Sequence, residues 1–231
     1  MTSVKVEPGS FRDRESRVFA RDGRIFRALS PTALAQWERL SGTRFFQDLS
    51  AAGRLPRTDR VEIDGEDLRA ISPRFVAALE HEALPFVSYP YEWSFSMLRD
   101  AALLTLDILC AALAEGMTLK DASSYNVQFR GATPQFIDLG SFEAWREGEP
   151  WVGYRQFCQL FLYPLMLQAY KGVAFQPWLR GAVDGITPEE MAGLFATRDL
   201  VRGGVLAHVV LQARLSPVSY THLTLPTILR V

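Results

Sequence analysis

Hydrophobic and polar positions divide the chain into a mixed first part and a mostly helical second part. Residues 18–21 and 24–29 are strand-like runs on either side of Asp22-Gly23. Asp-Gly tolerates positive φ at both turn positions, so the pattern predicts a β-hairpin. Ser30-Pro31 then opens a helix to about Leu40: the hydroxyl caps free N–H groups and the proline has none to leave unpaired. A second helix is expected over residues 45–52, stopped by Gly53. Val61 and Ile63 alternate with polar residues, which predicts a short strand and a turn at Asp64-Gly65. Residues 73–80 read as a short helix and residues 84–89 as a strand.

From residue 94 the period changes. Met97, Leu98, Ala101, Leu104, Ile108 and Ala112 recur at helical spacing up to Gly116. Asp100 and Asp107, seven apart, fall on one face of that helix, read as solvated. Two short β-like pieces follow, residues 126–129 and 135–137, joined through Gly131. Helices dominate again from Tyr154. The apolar run 157–170 is too short to cross a bilayer and reads as a core helix. Thr187-Pro188-Glu189-Glu190 is a helix start. No internal repeat or low-complexity segment occurs.

Composition narrows the class. The 231 residues are 48% hydrophobic, enough to bury a core, and 12% aromatic, which argues against disorder. Lys plus Arg is 25 and Asp plus Glu 26, so neither a nucleic-acid-binding field nor a membrane-binding polybasic run is indicated. Cys110 and Cys158 sit in apolar helical stretches and read as buried, reduced thiols of a cytoplasmic protein. The polar N-terminus has no apolar segment of a secretory signal. Residues 217–231 contain Val-Ser-Tyr-Thr-His-Leu-Thr-Leu-Pro-Thr, the translation of a common library-preparation adapter. They read as read-through, with the natural chain continuing past Ser216, so His222 is assigned no function.

The chemistry concentrates in Leu119-Lys120-Asp121-Ala122-Ser123-Ser124-Tyr125-Asn126 and Phe136-Ile137-Asp138-Leu139-Gly140. Phosphoryl transfer needs a carboxylate beside the acceptor hydroxyl, and an amide oxygen with a second carboxylate to hold Mg²⁺ against the phosphates. Asp121, Asn126 and Asp138 supply those groups. A hairpin between the last two would bring the metal ligands together. The alternative is an ordinary loop role for all three, since Asp and Asn favour turns.

These motifs resemble the protein-kinase-like superfamily, including its aminoglycoside-phosphotransferase type. Asp121 matches the catalytic-loop Asp, Asn126 the catalytic-loop Asn, and Asp138-Leu139-Gly140 the metal-binding Asp-x-Gly. Leu119-Lys120 stand where that family has His-Arg or His-Gly. The resemblance implies a truncated, two-lobed α+β fold: a small lobe over residues 1–93 and a mostly helical lobe over 94–216. It also implies ATP and Mg²⁺ as cofactors. No lysine occurs between Lys5 and Lys120, so Arg27 is the expected stand-in on the phosphates, with Glu38 as its partner. A solvated strand residue is the other reading of Arg27. Tyr91, within Tyr89-Pro90-Tyr91-Glu92-Trp93, is placed at the hinge against the adenine, with core packing as the alternative. Asp22-Gly23 is either a hairpin tip over the phosphates or a plain surface turn. No Ala-Pro-Glu segment appears, which favours a small-molecule acceptor.

Residues 85–93, 119–129, 136–143 and 151–157 together resemble a bacterial family labelled nodulation-type proteins or class I SAM-dependent methyltransferases. That resemblance implies a methyltransferase domain, with its SAM, downstream of this chain. No glycine-rich SAM signature appears within it, and Gly203-Gly204 is not set in one. Two functions are carried forward: a Mg–ATP-dependent transferase acting on a small molecule, and a non-catalytic pseudokinase or substrate-recognition module of a methyltransferase.

Overall fold

The computed structural model describes residues 5–6, 13–63 and 65–215, so the segment 217–231 lies outside it. The chain forms two compact units that divide between Phe157 and Cys158. The residue 93/94 boundary falls inside the first unit. There the helix that begins at Phe95 packs against the strands that follow it.

The first unit opens with an antiparallel five-stranded sheet in the order β1-β2-β3-β5-β4. Its strands are β1 (Lys5–Val6), β2 (Ser16–Arg21), β3 (Arg24–Leu29), β4 (Thr58–Val61) and β5 (Ala77–His81). The β2–β3 hairpin turns at Asp22 (φ 52) and Gly23 (φ 75), as the Asp-Gly signal requires. Helix α1 (Pro31–Ser41) is capped by Ser30, whose hydroxyl accepts from the Ala33 N–H. Thr43 caps α2 (Arg44–Ala51) in the same way. The Glu115 carboxylate also accepts from the Arg44 and Phe45 N–H groups at 2.9 and 2.7 Å, fastening α2 to the end of the helix that begins at Phe95.

Alternation sends the sheet's two faces to different places. Phe19, Phe26, Ala28 and Ala78 point to one side and form a core with Leu68 and Phe75. Leu68 belongs to α3 (Gly65–Ile71), where only a turn was expected. The opposite face presents Ser16, Val18, Ile25, Arg27, Leu29, Leu79 and His81.

Two other expectations are corrected. Residues 73–80 are not a helix: β5 pairs with both β3 and β4, and this two-sided ladder outweighs local helical preference. Residues 84–89 are not a strand. The Gln128 side chain bonds both ways with Ser88, accepting from its N–H at 2.9 Å and donating to its C=O at 3.0 Å. The Trp93 indole N–H donates to the Ser88 hydroxyl at 2.9 Å. Side chains satisfy here what a neighbouring strand otherwise would.

Helix α4 (Phe95–Ala114) runs from its Ser94 cap to Gly116 and buries Leu98, Ala101, Leu104, Ile108 and Ala112. Cys110, expected in the core, is exposed because it falls on the opposite side of that stripe, and Cys158 is buried. Beyond α4 lie β6 (Met117–Leu119), β7 (Val127–Arg130), β8 (Thr133–Phe136) and β9 (Phe142–Ala144). β7 pairs with β8, and β6 with β9. The unit ends with α5 (Tyr154–Phe157).

The second unit is helical. A π segment, Cys158–Leu162, precedes α6 (Tyr163–Lys171). The Gln159 carbonyl accepts from the Ile186 N–H at 3.1 Å, so the widened turn leaves that oxygen satisfied. Gly185 (φ 79) passes so close that a Cβ would lie 2.3 Å from the same oxygen. The helices α7 (Gln176–Gly181), α8 (Pro188–Leu194) and α9 (Leu211–Leu215) complete the unit. Thr187 and Glu190 form the expected capping box at α8. Asp199 is held by Lys171 at 2.7 Å and Arg202 at 3.2 Å.

Candidate functional site

In the first unit, the polar face of the sheet borders two cavities, and Arg27 lines both. The smaller encloses about 120 Å³ and also meets Ser16, Lys120, Leu139 and Gly140. The larger, about 290 Å³, is lined by Val18, Ile25, Pro56, His81, residues 82–84, Val87 and Ile137. Arg27 donates from Nη1 to the Ser16 hydroxyl at 3.1 Å, while its Nε is buried without a partner. Ser16 donates to Asp13 Oδ2 at 2.6 Å. Burial would raise the Asp13 pKa, but this bond, two backbone N–H groups and the Arg27 charge together hold it below the ordinary carboxylate value. The His81 imidazole is pushed down to about 3, first by burial and then by Arg27.

Backbone pairing brings the sequence motifs to one place. In the β6–β9 ladder Leu119 faces Phe142, so the loop after β6 and the turn before β9 share one end. The Lys120 N–H donates to the Ser141 carbonyl at 2.9 Å. In the β7–β8 ladder Val127 faces Phe136, and the Ile137 N–H donates to the Asn126 carbonyl at 2.8 Å. β8 is in turn fixed to the loop after α2, where the Phe136 N–H donates to the Arg54 carbonyl at 2.9 Å.

The side chains follow. Asn126 Nδ2 donates to Ser141 Oγ at 3.4 Å, and Ser141 Oγ donates to Asp138 Oδ2 at 2.7 Å. Asp138 Oδ1 accepts from the Gly140 N–H at 3.1 Å. Ser141 is fully buried, so this chain holds the amide and the carboxylate in fixed orientations. Because Asn126 donates through nitrogen, Oδ1 is left as its acceptor. A Cβ on Gly140 would lie 3.2 Å from Asp138 Oδ1 and 3.9 Å from Arg27 Nη1, which places the guanidinium beside this turn. Asp121 Oδ1 accepts from the Ser123 N–H at 3.0 Å and shapes its own loop. The next residue, Ala122, donates its N–H to Gln156 Oε1 at 2.7 Å.

Arg27, Asn126 and Asp138 therefore come together, with Asp121 on the adjoining loop. Glu38 does not join them: it is exposed and pairs with Arg60 of β4 at 2.9 Å. The companions of Arg27 are Ser16 and Asp13, supplied by the start of β2 rather than by a helix. Tyr91 also lies elsewhere. It stacks on Tyr89 at 5.4 Å and 8°, within the turn Pro90–Glu92, and lines neither cavity. The segment that borders the larger cavity comes earlier, at residues 82–87. The Asp22-Gly23 turn stands at the other end of the hairpin from Ser16.

Sequence reasoning missed Ser16, His81 and Ser141. Ser141 had a signal, a small polar residue directly after Asp-Leu-Gly. His81 had only its identity as a histidine, because residues 73–80 before it were read as helix and the ladder that buries it was not foreseen. Among the described residues no three His, Cys, Asp or Glu side chains gather as a metal cage, and no helix is long and apolar enough to cross a membrane.

The fold is thus α+β, a small antiparallel sheet followed by a largely helical remainder, with a polar cluster facing one side of the sheet. Over 207 residues, 90% of its length, the chain is 35% identical to nodulation protein NoeA of Rhizobium meliloti (strain 1021). It spans 43% of that protein, less than half its length. This similarity supports the nodulation-type family, and the name NoeA does not bear on the kinase-like resemblance. No protein-family model matches the chain.

Proposed function

We propose that the first unit binds a Mg²⁺–nucleotide, ATP, and transfers phosphate to a small-molecule hydroxyl. The observation that carries this reading is the Asn126–Ser141–Asp138 chain beside Arg27. It sets an amide oxygen and a carboxylate, the hard donors Mg²⁺ prefers, next to a guanidinium suited to phosphate. The residues fit the group on a second count: the guanidinium of Arg27 lines the cleft into which the Asp138–Gly140 turn projects a wall residue, Gly140. Arg27 would hold phosphate, with Lys120 as a second cation on the same cleft. Asn126 and Asp138 would hold the metal, which when bound neutralises phosphate charge. Asp121 would orient the acceptor hydroxyl and take its proton, since its Oδ2 is not used in its own turn.

Calorimetry with Mg–ATP tests this. Binding by the wild type that disappears in Asp138→Ala supports the reading, and no binding by the wild type overturns it.

A second reading is favoured by one observation: both Asp138 oxygens already accept hydrogen bonds within the protein. On this reading the unit is a non-catalytic, pseudokinase-like module that presents substrate to a SAM-dependent methyltransferase domain of a longer protein. Asp121→Asn separates the two. It abolishes phosphate transfer on the first reading and changes nothing on the second.

A further inference from the structure

The loop that carries Asp121 is braced by a segment that the phosphate-transfer reading leaves unused. The brace runs from Trp151 into α5, within the same compact unit. It grips the loop at two points. The Trp151 indole N–H donates to the Leu119 carbonyl at 2.7 Å, two residues before Asp121. Gln156 Oε1 accepts from the Ala122 N–H at 2.7 Å, one residue after it. Leu119 and Ala122 are both fully buried, so their backbone groups need partners inside the protein. Side chains 32 and 34 residues further along the chain supply them.

Gly153 makes this close approach possible. A Cβ there would lie 2.7 Å from Trp151 Nε1 and 3.1 Å from the Ala122 Cβ. The first distance is too short for any contact, so a side chain at 153 would push the indole off the Leu119 carbonyl. Trp151 also packs against Phe157, with ring centroids 5.6 Å apart, which ties the start of the brace to its end. Asp121 itself has a single side-chain hydrogen bond among the described residues, from the Ser123 N–H to Oδ1 at 3.0 Å.

We infer that Trp151 and Gln156 are positioning residues, which hold the backbone on either side of Asp121 so that its Oδ2 is aimed at the acceptor hydroxyl. The inference rests on the role proposed above for Asp121 and adds the residues that orient it. A carboxylate held only by its own turn would swing, and a displacement of about 1 Å costs about a hundredfold in rate. Neither Trp151 nor Gln156 lines the cleft bordered by Arg27, Lys120 and Gly140. The brace therefore acts on turnover and leaves nucleotide affinity alone.

The test pairs Mg–ATP calorimetry with phosphate release from Mg–ATP, water standing in for the acceptor hydroxyl. In that reaction the water oxygen bonds to the γ-phosphorus, the bond to the β–γ bridging oxygen breaks, ADP leaves with the electron pair, and the water proton passes to Asp121. Gln156→Met, which keeps the shape and removes the acceptor, is expected to lower turnover about ten- to a hundredfold with the Mg–ATP dissociation constant unchanged. Gln156→Glu, which keeps an acceptor oxygen, should restore most of it. In an Asp121→Asn background Gln156→Met should cost nothing further, because its effect passes through Asp121. Unchanged turnover in Gln156→Met, or the same loss in both backgrounds, overturns the inference and leaves the nucleotide reading standing. Wild-type protein that binds Mg–ATP but releases no phosphate removes Asp121 as the base, and this inference with it. Wild-type protein that binds no Mg–ATP overturns both. Gly153→Ala, which displaces the indole, carries the same test if Gln156→Met fails to fold.

Discussion

One face of the five-stranded sheet is dry and the other is not, although both are built from the same strands. On the dry face Phe19 stacks on Phe26 at 5.3 Å and Leu68 of α3 joins them in a hydrophobic cluster, while the Arg24 guanidinium lies 5.2 Å from the Phe26 ring centroid. On the other face, one residue along each strand, Ser16, Arg27 and His81 sit among aliphatic neighbours. Arg27 and His81 each keep a buried nitrogen unpaired. A stable core has no use for such groups, because each costs free energy unless something bonds to it. The comparison teaches where this unit gains stability and where buried polar groups work against it.

Substitutions can break that comparison, beginning with the largest expected effect. Phe19→Ala, on the dry face, should destabilise the protein by about 3–5 kcal/mol in denaturant unfolding, through lost burial and the cavity left behind. Ser141→Ala should cost less, about 1–3 kcal/mol, by leaving Asn126 Nδ2 and Asp138 Oδ2 without their shared partner. It should also weaken Mg–ATP binding, which the Phe19 variant, where folded, should retain.

His81 gives a pH signature confined to the wet face. Its pKa falls from 6.5 to about 3 on folding, so between those values the unfolded chain binds the extra proton. Stability should therefore be complete above about pH 6.5 and decline as pH falls below it, by at most about 1.4 kcal/mol per pH unit. His81→Leu should flatten that slope, as read by unfolding at a series of pH values. The smallest effect on stability is expected from Arg27→Met, within about 1 kcal/mol, because the apolar stem is kept and an unpaired donor is removed. The same change should abolish nucleotide binding. A large loss of stability there would make Arg27 a structural residue and remove the contrast between the faces.

Much of the fold was legible where the signals are local. Asp22-Gly23, Ser30-Pro31, the apolar stripe of α4 and the Thr187–Glu190 box each act within a few residues and each formed as read. The candidate site was legible only in part. Asp121, Asn126 and Asp138 could be picked out because a hairpin of readable length separates the last two. Arg27 could be named as the cation, but its partners could not. Glu38 looked suitable by position on α1, and Arg60, 22 residues away, takes it instead.

The sequence by itself determined the local elements, the class of the fold and the residue types of the cluster, because capping, turn chemistry and helical period act over short range. Only the tertiary structure decided that residues 77–81 are a strand, that residues 84–89 are not, and that His81 and Ser141 stand where they do. Those outcomes depend on which ladder or side chain satisfies a backbone group from a distance, and no local pattern carries that information.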